Sequence, residues 1–424
     1  MADYSSDSLV AVRPFTRRLD GDSATIGDLD REVFLAIPVE GLDILDALAE
    51  GLTVGEAARR YEERHDEVPD IEDFLAALEE EGFVGAADGT DPQPAGAGTA
   101  AAPERRTARR SWALAGLTPE TARRLVGRPV LTAFGIVIAL GLVAQAADPA
   151  IVPTPGALFY TDYFGVLTWA TFACALVGIA VHEFGHVVAA RAAGVPSRLG
   201  IGNQMYFMVA TTDMSGILLA PKRRRYLAFM IGSILDLVSY SVLAGVQWGG
   251  RHGLYELPRW ATLLIGGVML TYSTRVVWQW FFFLRTDGYY VISTLLNCRS
   301  LMADTQDYLY NLTVRFRRSA HRVDQSGVPR REMRIVRGFA VFWLTGRLMF
   351  LALLFTVALP LLWKYLEQVG LWVVGGGSRF SSFDFATVVI LAFLVDGGGV
   401  VLWLRSLYRG ARARRARLAA ADAV

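Results

Sequence analysis

The run Val181-His182-Glu183-Phe184-Gly185-His186-Val187-Val188 carries the strongest chemical signal in the chain. Its core is H-E-x-x-H. An α-helix turns about 100° per residue, so two histidines four apart lie within roughly 40° of each other on one face. Both imidazoles then reach one tetrahedral zinc ion, at about 2.0–2.1 Å from each ring nitrogen. Glu183 projects on the same side, where a carboxylate takes a proton from a metal-activated water. The motif sits in an apolar run, and ionisable side chains at membrane depth are costly and usually functional. The competing structural reading satisfies both histidines with backbone carbonyls in a helix bundle. It leaves Glu183 as an unpaired carboxylate in an apolar setting.

Two histidines leave zinc one protein ligand short. His65 falls in a polar N-terminal region, His252 in a loop between apolar segments, and His321 in a basic loop, so all three read as surface residues. The chain has two cysteines, Cys174 and Cys298, which excludes a Cys-rich zinc or iron–sulfur site and a disulfide-stapled scaffold. A carboxylate is then the natural third ligand. Asp287, in Arg285-Thr286-Asp287-Gly288-Tyr289-Tyr290, matches in depth: it closes an apolar segment that runs in the same direction as the one ending at His186. Gly288 lets the backbone break and aim the carboxylate inward. The competing reading makes Asp287 an interfacial helix cap. Asp236 and Arg275 each stand mid-segment, and a structural ion pair accounts for both. Asp396 precedes Gly397-Gly398-Gly399 and carries no functional expectation.

These residues need a scaffold that crosses a bilayer. Of 424 residues, 53% are hydrophobic and 20% charged, against about 25% charge in soluble chains. The mean hydropathy is +0.34. A purely soluble protein is excluded, and the net charge of +1 gives no field for nucleic acid. The N-terminal stretch lacks a basic segment followed by an apolar core and does not read as a cleaved signal peptide.

Six spans are expected, at about 130–147, 164–190, 226–248, 260–284, 339–363 and 385–404. Lysine and arginine orient them. Flanks assigned to the inside hold 29 of these residues and flanks assigned to the outside hold 4, so both chain ends face the cytoplasm. The fold class is therefore a polytopic α-helical membrane protein, multi-pass in the cell membrane, with the lipid bilayer as one partner. Residues 10–85 precede it as a small α+β domain. Strands flank the turn Asp20-Gly21-Asp22, and three helices follow: one through Leu42 to Ala49, one from Val54 to Tyr61 capped by Thr53, and one from Ile71 to Glu80 stopped by Gly82. This suits a winged-helix type of module, and its acidic surface argues against DNA. Residues 86–118, rich in Gly, Ala and Pro, read as a flexible linker to a membrane domain over 119–424. The polar stretch from Gly200 to Lys222 is too irregular to span. Either it dips into the inner leaflet and pairs with an unwound substrate as an added strand, or it is an ordinary cytoplasmic loop.

On His182-Glu183-Phe184-Gly185-His186 and Asp287-Gly288, the chain resembles the site-2 protease family of intramembrane zinc metalloproteases. The resemblance covers roughly 164–290. It implies one zinc ion per chain bound by His182, His186 and Asp287, with Glu183 as catalytic base. Where the family has an Asn and a Pro before Asp-Gly, this chain has Gln279 and Phe282; Gly232-Ser233-Ile234-Leu235-Asp236 is similar to a Gly-Pro-x-x-Asn element with two changes. The Asp-Gly-Tyr-Tyr ending resembles a peptide-maturation branch. Residues 10–85 are similar to the PqqD-like leader-recognition fold, through Leu52-Thr53-Val54-Gly55-Glu56-Ala57 and Phe74-Leu75-Ala76-Ala77-Leu78. The expected function is an intramembrane metalloendopeptidase that removes a leader from a ribosomally made peptide or cuts a membrane-spanning substrate near the cytoplasmic face. Gln279 is a candidate hydrogen-bond donor to the reacting carbonyl. The alternatives are a non-catalytic partner that keeps the motif, such as a peptide exporter, immunity protein or scaffold, and a zinc-dependent transporter.

Overall fold

The N-terminal strands arise from alternating apolar residues, which turn one face of each strand onto a common core. β1 (Val10–Val12) pairs antiparallel with β5 (Val84–Ala86), and β2 (Thr16–Asp20), β3 (Ser23–Asp28) and β4 (Val33–Pro38) form an antiparallel meander. Between β4 and β5 lie α1 (Gly41–Ala49), α2 (Val54–His65) and α3 (Ile71–Glu80). Ile26, Leu45, Leu48, Leu75, Leu78 and Phe83 make up the buried centre. Thr53 starts α2 through a reciprocal capping box with Glu56. Gly51 ends α1 at φ +90, a conformation that costs glycine little. α2 runs one turn past the expected Tyr61 because Arg64 and His65, in its last turn, both reach Asp43 of α1.

The structure, a computed structural model, describes residues 4–20, 23–28, 33–86, 117–158, 163–204, 207–298, 300–314, 328–353 and 381–406, plus isolated positions. Most of the expected linker, 86–118, lies outside them.

Among the described residues, five helices are long and apolar enough to cross a membrane. α4 (Pro119–Leu125) bends at Gly127 into α5 (Arg128–Ala147). α6 (Phe164–Ala192), α7 (Lys222–Arg251), α8 (Arg259–Trp278) and α11 (Arg330–Leu353) follow in turn. Between α6 and α7 the irregular stretch folds as an antiparallel hairpin, β6 (Arg198–Gln204) with β7 (Phe207–Asp213), and then a short 3-10 turn, Ser215–Leu219. Met214, Ile217 and Ala220 pack with Ala189, Ala228 and Ile231, which anchors this segment against α6 and α7. The stretch expected as a plain inner flank holds α9 (Asp287–Leu296) and α10 (Leu301–Val314).

Two expected boundaries move. The fourth apolar segment leaves the helix at Trp278 rather than Leu284. Phe283 and Leu284 are apolar because they bury against Phe350 of α11, not because the helix continues. The fifth starts at Arg330 rather than Phe339, since Met333 and Val336 pack on Tyr289, Leu301 and Met302. For the sixth, the described helix is α12 (Ser382–Ala392), passing into a π-helical turn at Phe393–Gly397.

Small residues let the long helices meet closely. A Cβ on Gly141 of α5 would run into Ser241 of α7, and one on Gly185 of α6 would lie 2.6 Å from Leu235 Cδ1 of α7. Polar contacts tie ends that charge counting places on one side. Arg251 Nε donates to Asp148 Oδ2 at 2.7 Å, joining the ends of α5 and α7. Gly165 N donates to Asp384 Oδ1 at 2.8 Å, joining the starts of α6 and α12.

Candidate metal centre

The last third of α6 carries His182, Glu183 and His186, and both histidines are buried. His186 lies six residues, or roughly 9 Å of helix rise, before the end of α6 at Ala192. α7 crosses this face at Gly232, where any Cβ would press on the His182 ring. Each imidazole is held from behind. His182 Nδ1 donates to Asp236 Oδ2 at 2.8 Å, and His186 Nδ1 donates to the Ala228 carbonyl at 2.7 Å. Both outer partners are acceptors, so each Nδ1 carries the proton and each Nε2 turns inward with a lone pair.

Those two lone pairs meet Asp287. Its Oδ2 stands 3.1 Å from His182 Nε2 and 3.1 Å from His186 Nε2. Among the described residues, these three form the one group of His, Cys, Asp or Glu able to hold a metal ion, with all ligand atoms within 4.8 Å of one another. Three such atoms facing a common centre could hold a metal ion. Zinc bonds of about 2.0 Å in a tetrahedron give ligand–ligand edges of about 3.3 Å, close to the two observed separations.

Asp287 is not a helix cap. Thr286 caps α9, its Oγ1 accepting from Tyr289 N at 3.4 Å, and Asp287 is the first residue of the helix proper. The loop that delivers it is closed by Gln279. Its side-chain Oε1 accepts from Asp287 N at 3.0 Å, and its carbonyl accepts from Thr286 Oγ1 at 3.1 Å. Gly288 does not adopt a positive φ. It is required because a Cβ would collide with the Gln279 carbonyl. The helix therefore breaks before Asp287 without a proline.

Glu183 is half-buried beside the cluster, and its Oε2 accepts a 2.6 Å hydrogen bond from Thr212 Oγ1 on β7. Sequence reasoning did not find Thr212; only the pairing of β6 with β7 brings it under α6, and no local spacing announces that. The expected ion pair between Asp236 and Arg275 is present, with Nη2 2.8 Å from Oδ1. The additional bond from Asp236 to His182 was not expected. Of the excluded histidines, His65 pairs with Asp43 at 2.7 Å and His252 bonds the Trp248 carbonyl at 2.9 Å, and neither belongs to the cluster. His321 lies outside the described residues. No family model, curated protein or solved structure matches the chain.

Proposed function

We propose that the chain is an intramembrane zinc metalloendopeptidase of the site-2 protease type, acting near the cytoplasmic face of the cell membrane. The observation that carries this is the meeting of His182, His186 and Asp287 around one point, with Glu183 alongside. Zinc bound there supplies Lewis-acid activation of water and of the scissile carbonyl. Glu183 takes the proton from the attacking water and later passes it to the leaving amine. Thr212 holds the carboxylate in place meanwhile.

Access is the second requirement, because a helix in lipid hides its peptide bonds. The β6–β7 hairpin lies next to Glu183, and an unwound substrate adding to it as a strand would bring its backbone to the centre. The N-terminal domain, read as a PqqD-like recruiter of a leader-bearing peptide, meets the same segment: Arg18 Nη1 donates to the Leu219 carbonyl at 3.1 Å, just past the hairpin. The distribution of basic residues supports a reading of six spans, the sixth through α12, with both chain ends in the cytoplasm.

Metal content and turnover test this together. Full-length protein in detergent micelles should hold about one zinc per chain. It should cut an unfolded reporter polypeptide, and Glu183→Gln should stop cleavage while keeping zinc. Absence of zinc from the purified protein, or undiminished cleavage by the Gln variant, would overturn the proposal. Zinc without cleavage in the wild type would favour the non-catalytic membrane partner.

A further inference from the structure

We propose that Asp236, braced by Arg275, is a positioning residue for the metal centre: it fixes the His182 ring with Nε2 turned to the ion, and the pair sets the charge of the site. This rests on the reading of His182, His186 and Asp287 as metal ligands.

Asp236 is 1% exposed, and both of its oxygens are used. Oδ2 accepts from His182 Nδ1 at 2.8 Å, while Oδ1 accepts from Arg275 Nη2 at 2.8 Å and from Nε at 3.2 Å. A pair that only glued α7 to α8 would have no need to touch a ligand ring. Burying two charges is rarely a net gain in stability by itself. Here the room for them is built in. Gly178 stands one turn before His182 on α6, where a Cβ would lie 2.6 Å from Arg275 Nη2 and 3.1 Å from Tyr272 Oη. Gly232 stands one turn before Asp236 on α7, against the His182 ring. The guanidinium is further seated over the Tyr272 ring, 4.4 Å from its centroid. Three helices thus leave space at the same level for one hydrogen-bonded line, Arg275 to Asp236 to His182.

The geometry assigns two effects. An acceptor on Nδ1 locks the ring's tautomer and tilt, and a carboxylate acceptor also makes Nε2 a better donor to the metal. Arg275 offsets the negative charge that Asp236 would otherwise add to a buried site already holding Asp287 and Glu183. A dication then meets two further carboxylates rather than three unbalanced ones.

The test titrates Zn2+ and Co2+ into metal-stripped full-length protein in detergent, against a chromophoric chelator. Two variants are compared with the wild type: Asp236→Asn, close to isosteric, and the double variant Asp236→Leu with Arg275→Met, which replaces the pair by apolar side chains and leaves no buried charge stranded. Both should stay monodisperse and raise the metal Kd by about 10–100-fold. The visible band of the bound Co2+ should change in both, a readout that a purely structural role would leave alone. If either folded variant keeps wild-type affinity and an unaltered Co2+ spectrum, the inference is overturned. Failure of the wild type itself to bind either ion would instead remove the underlying ligand assignment, so the two failures are told apart by the first arm of the experiment.

Discussion

Replacing Gly232 by alanine should empty the metal centre without unfolding the protein. A Cβ at this position would lie 2.6 Å from both Cδ2 and Cε1 of His182. Ordinary contact begins at 3.4 Å, so ring and helix must part by about 0.8 Å, against a tolerance of about 0.2 Å in metal–ligand distances. The ring has no free direction in which to swing, since Nδ1 is held by Asp236 and Nε2 faces Asp287. Disturbing the support of a metal ligand costs about 10–100-fold in affinity, or about 1.4–2.8 kcal/mol of binding. The backbone effect has the opposite sign, because alanine is favoured over glycine in a helix interior by about 1 kcal/mol. Overpacking costs about 1–3 kcal/mol and outweighs that gain, so the metal-free variant should still melt cooperatively, at a somewhat lower temperature, while its zinc Kd rises by up to about two orders of magnitude. Chelator competition measures the second quantity and a melting curve of the stripped protein the first. Unchanged zinc affinity in a well-folded Gly232→Ala protein would refute the packing argument, and lost affinity with a collapsed melting curve would refute its separation from the fold.

Thr212→Val removes the donor to Glu183 at nearly constant volume, and a hydrogen bond to a charged group is worth about 1.5–3 kcal/mol. Cleavage should fall by about tenfold or more with zinc content unchanged, and Thr212→Ser should restore it; steady-state rates with parallel metal analysis decide this. In the N-terminal domain, burial pushes the Asp43 carboxyl upward, but the hydrogen bond from His65 and the charge of Arg64 outweigh it and hold the carboxyl below its ordinary value of 3.8. A lowered folded pKa contributes stability above the unfolded value, which is lost as pH falls through the folded one. Hydrogen exchange in α1 and α2 of the full chain should accordingly speed up as pH drops below about 4, beyond the intrinsic rate. Asp43→Asn should exchange faster near neutrality and lose that dependence.

The residues that meet at the candidate centre were legible because their spacing is local chemistry. His182, Glu183 and His186 sit on one helical face whatever surrounds them, and the apolar run around them already implied a buried setting. Asp287 was legible by depth, since the segments carrying it and His186 run the same way. What supports these residues was much less so. The sequence shows Asp236 and Arg275 as charges in apolar helices, and pairing them is the obvious economy. That Asp236 also takes the His182 ring depends on where α6 and α7 cross, which Gly185 and Gly232 determine through contacts that no periodicity displays. The loop before Asp287 misled for a related reason. Five consecutive apolar residues, Trp280 to Leu284, look like the continuation of a helix, yet the chain leaves the helix there, with Phe281, Phe283 and Leu284 packing around Phe350 of α11 and Trp280 exposed. Apolar runs report burial and not the element that achieves it. The hairpin was legible only as an interruption, because pairing between β6 and β7 is set by a turn and by neighbours distant in sequence.

The supports of the ligands and of the base come from different kinds of structure, and that division has a mechanistic consequence. His182, His186 and Asp287 are held by groups on α7 and α8 or on the loop that leaves α8: Asp236, the Ala228 carbonyl and Gln279. The two α7 groups lie in a packed helix that cannot shift gradually, and Gln279 closes the loop directly after α8, so the three side chains are held independently of the hairpin. Glu183 instead takes its bond from a two-stranded sheet, an element of marginal stability by itself. A polypeptide adding to that sheet would move or stiffen β7, and with it the hydroxyl on Thr212. On the proposed function, binding of substrate would then alter the orientation of Glu183 without displacing His182, His186 or Asp287, so metal affinity and proton transfer would be open to separate control within one site.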